Sequence, residues 1–299
     1  MKRQLGMALL IVLLLISTLS VIAINSQDAW KQIFWRTEAQ LSQQQIRFIL
    51  LGAEDLIRIQ VISNISQDNV HARQAWAQKN MHFQLGDDRI NYAITDMNAC
   101  FNINTLALPG ALHGGDLQNG EIPWRHQVFL KILENLGVDE IKGMLFLKRL
   151  QPLLPLADIT ELRAVTDVGR ELWLRLKPML CVHPAEKNRI NINSLQGHHG
   201  AILLRSLMLN HISLAEAAEA LEKYSDSNWE QGENIFNSLS QEPVRVALSK
   251  MQSGVTHTSD SFSVKIWMDI NDFRYELTSQ MQRDKNAVFV TQHHFGIEQ

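Results

Sequence analysis

Only two of the 299 residues are cysteine, and only seven are proline. Two thiols are too few for a disulfide-dense secreted scaffold or a four-cysteine zinc site. The first proline is Pro109, so the opening third of the chain holds no residue that must break a helix. Positive charge is scarce too. Lys and Arg number 28 against 31 Asp and Glu, a net charge of −3, which denies the chain the basic field of a general nucleic-acid binder. Motifs of catalysis are missing as well: there is no Gly-x-Ser-x-Gly elbow, no phosphate-binding glycine loop, no nucleotide fingerprint and no His-Glu-x-x-His. Composition is otherwise that of a folded protein, 45% hydrophobic and 20% charged. The length allows about two domains and a sizeable core.

The positive features begin at the N-terminus. Met7 to Ile24 is an 18-residue run without a charge. As a helix it would span about 27 Å, close to the thickness of a hydrocarbon core. Lys2 and Arg3 precede it, so the positive-inside rule keeps the N-terminus cytoplasmic and sends the chain beyond Ile24 to the periplasm or an equivalent oxidising space. Three readings of this start compete. A secretory signal could be cut after Val21-Ile22-Ala23. A plain anchor would stay uncut. The third reading rests on Gly6, which stands directly before the apolar run. A short basic leader ending in Gly at that place resembles the type IV pilin and pseudopilin signal. That resemblance implies cleavage between Gly6 and Met7, retention of the apolar helix and methylation of the new N-terminus. Most of those proteins carry Glu as the fifth mature residue. Here Ile11 stands there, a departure characteristic of the K-type minor pseudopilins of type II secretion.

Helical spacing persists beyond the apolar run through Trp30, Ile33, Phe34, Leu41, Phe48, Leu51 and Leu56. One long helix over 7–62 is expected, its first half lipid-facing or subunit-facing and its second half amphipathic and packed on a globular head; the alternative is an anchor followed by a separate short helix. Alternation at Ile90, Tyr92 and Ile94, with Met81 to Leu85 before it, predicts a β-hairpin. Phe262 to Met268, Phe273 to Leu277 and Val288 to Val290 alternate likewise, with turns at Asn271-Asp272 and Arg283 to Asn286. These strands would join one antiparallel sheet laid on the helix, from 63–107 and 257–299. Between them, 108–256 reads as an inserted helical domain. Its candidate helices are His126 to Leu136, Asp139 to Arg149, Ile159 to Ala164, Arg170 to Leu180, Gly200 to Leu209, Leu214 to Tyr224, Trp229 to Leu239 and Val244 to Ser249. A short repeat flanks this block: Phe101-Asn-Ile-Asn-Thr-Leu106 echoes Ile190-Asn-Ile-Asn-Ser-Leu195. Its second Asn or its hydroxyl could cap a following helix.

Few constellations could carry chemistry. In an exported chain Cys100 and Cys181 are most simply one disulfide, with two buried free thiols as the alternative. Asp158 and Glu161 are spaced as a capping box, and the Val165 to Gly169 turn leads into the next helix. This resembles a helix–hairpin–helix unit. Its hairpin lacks the first Gly of a phosphate-binding pair, so it reads as a packing module. His198-His199 and His293-His294 are adjacent pairs, and neighbours on a helix point about 100° apart, so neither pair alone makes a three-ligand zinc site. Asp226, Asn228, Glu230 and Glu233 place oxygen donors at near-alternate positions, which suits Ca²⁺; a solvated acidic turn is the alternative.

Taken in order along the chain, these residues resemble the K-type minor pseudopilins of the type II secretion system. The resemblance covers the Gly6/Met7 junction, Ile11, Leu51-Gly-Ala-Glu54, Asp96 to Asn104, Asp158 to Leu162 and Arg189 to Asn193. It implies an α+β fold: a leader of residues 1–6, a helix with its membrane span at 7–24, a pilin-like sheet, and an inserted all-α domain of two small helical units. It implies no enzyme, but a subunit of a pseudopilus tip made with the I and J minor pseudopilins. Further partners would be the major pseudopilin, the prepilin peptidase and the inner-membrane secretion platform. It also implies a disulfide between the two cysteines and bound Ca²⁺. Outside that family, the sequence alone leaves room for a membrane-anchored periplasmic enzyme or binding protein, or a minor type IV pilin.

Overall fold

The computed structural model describes the chain except residues 1–3, 67, 87, 108–121, 165–167, 184–188, 225–246, 248–250, 252–253, 271, 286 and 299. It divides into two compact units, Met1–Ala53 and Glu54–Gln299.

The first unit is a single helix, α1, which runs Gln4–Gln60 and continues into the second unit. No proline interrupts it, and Gly52 costs it only about 1 kcal/mol against Ala. It starts before, and stops two residues short of, the 7–62 span expected from periodicity. Of the apolar residues expected to pack in its second half, Leu41 and Phe48 are exposed and Leu51 and Leu56 half-buried, while Trp30, Ile33 and Phe34 of the first half are exposed as expected. The buried residues are instead Ile46, Leu50, Ala53, Glu54 and Ile57, related by steps of three and four. Large side chains dominate the sequence pattern, whereas the face that is buried includes a small Ala and a hydrogen-bonded Glu.

In the second unit the long strands are β1 Met81–Leu85, β2 Asp88–Asp96, β7 Ser261–Ile270, β8 Phe273–Asp284 and β9 Ala287–Glu298. They form a five-stranded sheet in the order β1-β2-β7-β8-β9, with every neighbour antiparallel. Ile90, Ile94, Phe262, Val264, Ile266, Leu277 and Met281 are buried, as period-two alternation requires. Ile57, Ile62, Val70 and Trp76 are buried as well, and Trp76 meets Phe262 edge-on at 5.7 Å. The last turns of α1 are tied to the sheet by polar contacts. Ser279 Oγ donates to Glu54 Oε2 at 2.7 Å, His293 Nε2 lies 2.7 Å from the same oxygen, and Arg58 donates to the Val288 carbonyl.

Chain between β2 and β7 forms the helical block. Its described helices are α2 Trp124–Asn135, α3 Glu140–Leu150, α4 Arg170–Leu176, α5 Gly197–Leu207 and α6 Leu214–Tyr224. Ile159–Ala164 is a 3₁₀ turn rather than an α-helix. α4 ends before the expected Leu180, because Pro178 follows it and the chain tightens through Lys177–Met179. The expected helices over 229–239 and 244–249 lie outside the described residues, apart from Ala247. The block has a continuous core from Phe101 to Met251 and belongs to the same compact unit as the sheet.

Two short parallel strand pairs close this block, and they are built alike. Strand β3, Phe101–Asn102, pairs with β4, Leu180–Cys181; strand β5, Ile190–Asn191, pairs with β6, Val255–Thr256. In each, an Asn-Ile-Asn segment passes from strand into a 3₁₀ turn. The first Asn caps that turn, not the second Asn or the hydroxyl: Asn102 Oδ1 accepts from Asn104 N at 3.2 Å, and Asn191 Oδ1 from Asn193 N at 3.1 Å. The sequence repeat is thus a structural repeat of two strand-closed helical units. Gly254 at the second closure cannot gain a side chain, since a Cβ there would lie 2.5 Å from the Trp124 ring.

Cys100 and Cys181 form a disulfide across 81 residues, beside the first closure. Loop-closure entropy for a loop of that size gives about 4 kcal/mol. Replacing both cysteines by serine is therefore expected to lower the unfolding free energy by up to about 4 kcal/mol in urea titrations of oxidised wild type against variant. A loss below about 0.5 kcal/mol would show that the bridge does not constrain the unfolded chain.

Candidate functional site

Two regions carry the features that bear on function: the exposed N-terminal helix and a buried polar junction in the second unit.

At the N-terminus the leader junction Gly6/Met7 lies inside α1. Ile11 is exposed, as is the apolar run around it. Three hydroxyls interrupt that run, and each is satisfied within the helix. Ser17 donates to the Leu14 carbonyl at 3.1 Å, Thr18 to Leu15 at 2.9 Å and Ser20 to Ile16 at 2.8 Å. No side chain there needs water, so the segment suits hydrocarbon. It is the one helix among the described residues long and apolar enough to cross a membrane.

The junction is centred on Asp96, at the end of β2. Its carboxylate accepts from Asn98 N at 2.8 Å, from Asn191 Nδ2 at 2.9 Å and from Ser259 Oγ at 2.5 Å. Asn191 Nδ2 also lies 2.9 Å from the Val70 carbonyl, and Asn191 N donates to the Asn98 carbonyl. Next to it Arg283 is buried. Its guanidinium donates to the carbonyls of Ile65 at 2.6 Å and Ser259 at 2.7 Å, and it stacks over Phe262. The chain after α1, the ends of β2 and β8, the start of β7 and the second helical closure therefore meet in one network. The sequence pattern puts Arg283 in a turn. β8 instead runs through it to Asp284, and its side chain is buried on the core side with Met281. Sequence pattern misses this junction because the partners of Arg283 are main-chain carbonyls more than 20 residues away; only the Asp96 to Asn104 stretch and the second Asn-Ile-Asn hint at it.

Burial pushes the Asp96 carboxyl above the ordinary carboxylate range, while its hydrogen bonds pull the other way. Burial likewise holds His126 down to about 4, so this buried imidazole beside Gln151 is neutral at physiological pH.

The metal candidates fare differently. Asp226, Asn228, Glu230 and Glu233 lie outside the described residues. His198 and His199 are exposed neighbours on α5 with ring centroids 6.1 Å apart. His293 is paired with Glu54. Cys100, Cys181 and His183 come together, but both sulfurs are spent in the disulfide and offer no thiolate. The capping pair is formed: Asp158 Oδ1 accepts from Thr160 N and Glu161 Oε1 from Asp158 N. It caps the 3₁₀ turn.

The fold is a long N-terminal helix and a five-stranded antiparallel sheet, with a helical block inserted between two of the sheet's strands. No family model matches the sequence. The chain is similar over nearly its whole length to proteins named type II secretion system protein K. It is 27% identical to that of Klebsiella pneumoniae, over 99% of this chain and 97% of the relative. Identity is 25% to the Aeromonas hydrophila protein, over 97% and 96%, and 27% to that of Pectobacterium carotovorum subsp. carotovorum, over 99% and 97%. The fold matches a chain in the crystal structure of the GspK-GspI-GspJ complex of the enterotoxigenic Escherichia coli type 2 secretion system. The TM-score is 0.72 at 23% identity, covering 87% of this chain and 99% of that one. The resemblance to the K-type minor pseudopilins, first carried by Gly6, Ile11 and the Asn-Ile-Asn segments, thus extends from end to end.

The junction makes a stability prediction. Asp96→Asn keeps the shape but turns a donor toward Asn191 Nδ2, so it is expected to cost about 1–3 kcal/mol in urea unfolding. Because the folded Asp96 carboxyl is raised, its stabilising contribution is full below the unfolded value of about 4 and is lost as pH rises through the folded value. The Asn variant has nothing to titrate there. The gap between wild type and variant should therefore narrow with rising pH; a gap that widens would contradict a buried, raised carboxyl.

Proposed function

We propose that this chain is a minor pseudopilin that initiates and caps the pseudopilus tip of a type II secretion system. It supports export of folded proteins across the outer membrane. The observation that carries the reading is end-to-end similarity to protein K relatives, joined to an apolar helix that lacks a carboxylate at Ile11. A Glu at that place would need a partner charge from a neighbouring subunit, since a carboxylate in lipid is expensive unless paired. The first subunit of a filament has no subunit ahead of it to supply or receive that pairing. Ile11 removes the unpaired charge, which suits a starter.

The prepilin peptidase would cut between Gly6 and Met7, and the new N-terminus would be methylated. The helix then holds the protein in the inner membrane as a single pass, N-terminus cytoplasmic and the second unit periplasmic. The disulfide fits that oxidising side. Its partners are the I and J minor pseudopilins, with the major pseudopilin and the inner-membrane platform below them. The solved relative of the same fold comes from a complex of GspK with GspI and GspJ, which supports that pairing. The helical block adds bulk that a subunit stacked above would have to avoid. The role is structural rather than catalytic.

Ca²⁺ belongs to this reading through the family resemblance, and a set of side chains suits it chemically. Asp226, Asn228, Glu230 and Glu233 offer the hard oxygen donors that Ca²⁺ takes. When bound, the ion would cross-link its acidic segment.

Deleting the gene is expected to abolish secretion of folded exoproteins, and the purified periplasmic part is expected to bind its I and J counterparts in solution. Retained secretion would overturn the role. Ile11→Glu tests the starter argument: long homopolymers on overproduction would show the missing charge to be the brake on propagation, whereas their absence would assign the brake to the helical block.

A further inference from the structure

The two most exposed tryptophans for which the structure gives an exposure stand together just past the apolar run. Trp30 is 73% exposed and Trp35 66%, whereas Trp76 and Trp173 are 7% and 8% exposed in the second unit. Trp30 and Phe34 are four residues apart and share a helix face. Phe34 and Trp35 meet edge-on, with ring centroids 5.9 Å apart. Lys31 and Arg36 lie among them and are exposed. Nothing in the first unit covers these rings.

Their position along α1 is informative. If Met7 to Ile24 fills the hydrocarbon, Trp30 lies about 9 Å beyond its end. Helical side chains lean toward the helix N-terminus, which brings the Trp30 indole back toward the bilayer by most of a turn. That depth is the headgroup layer, where amphipathic indoles are enriched at membrane boundaries. Lysine and arginine stems snorkel there, their charges reaching lipid phosphates. Asn25, Ser26, Gln27 and Asp28 fill the step between the apolar run and the rings, as polar residues at a wet boundary should.

We propose that Trp30 and Lys31 form an interfacial anchor that seats α1 in the periplasmic headgroup layer of a phospholipid bilayer, with Phe34, Trp35 and Arg36 one to two turns above it. Continuity with the apolar run selects this occupant, since Asp28 and Glu38 balance the charges of Lys31 and Arg36. The inference rests on the membrane-spanning reading above. It adds a device that fixes how deep the helix sits before assembly, and that must be released when the helix leaves the bilayer for a filament.

The test uses the full chain reconstituted in vesicles of phosphatidylethanolamine and phosphatidylglycerol. Tryptophan emission is measured with lipids brominated near the headgroup or near the chain end, for wild type and for W30F/W35F. Flotation after carbonate washing is run on the same samples. The expected result is carbonate-resistant flotation of both proteins, strong quenching of wild type by the shallow bromines, and loss of that quenching in W30F/W35F. Equal quenching of the two proteins, with flotation intact, would overturn the anchor and leave the membrane span standing. Quenching that disappears as protein concentration rises would assign the rings to a second helix and also overturn it. Failure of flotation would remove the membrane span itself.

Discussion

The second unit depends on one buried carboxylate. Asp96 ends a central strand, and through Asn98, Asn191 and Ser259 it ties that strand to the helical block and to the strand that returns from it. An unpaired charge in that place would be costly, and each partner it gains removes part of that cost. Arg283 solves the companion problem for main-chain carbonyls at Ile65 and Ser259, which lie where the long helix hands over to the head. A sheet whose strands β2 and β7 are separated by a whole helical block needs such a joint, because hydrophobic packing alone does not fix which strand leaves and which returns. Hydrogen-bond networks of this kind specify geometry more than they add stability.

The N-terminal helix answers a different requirement. It must be stable without a protein partner over the apolar run, and it satisfies each hydroxyl there against its own carbonyls. Its exposed apolar surface is a liability in water and an asset in lipid or in a filament. That exposed surface runs from the apolar segment around Ile11 to the rings of Trp30, Phe34 and Trp35.

Much of this is legible in the residues. Strands with clean alternation, such as β7 with Phe262, Val264, Ile266 and Met268, fall where the pattern puts them. So does α6, whose bounds Leu214–Tyr224 match the expectation. The failures share a cause. Periodicity weights large apolar side chains, and on α1 it favours Phe48 over Ala53. Local capping rules point to the second Asn of each Asn-Ile-Asn, whereas parallel pairing with Cys181 or Thr256 turns the first one inward. Arg283 looks like a turn residue because its partners are distant carbonyls, which carry no signal in composition. The resemblance to protein K relatives is legible without such contacts, since Gly6 before an apolar run and Ile11 are local features of the sequence.

The central claim is that this chain enters the pseudopilin pathway and keeps its apolar helix. Intact mass and N-terminal sequence of the protein taken from membranes, with and without reduction, test it most directly. A start at Met7, one added methyl and a two-hydrogen deficit that reduction restores are the predicted result. A start at Ile24 would mean release by a signal peptidase as a soluble periplasmic protein, and an intact Met1 would mean a plain anchor; either would contradict the account.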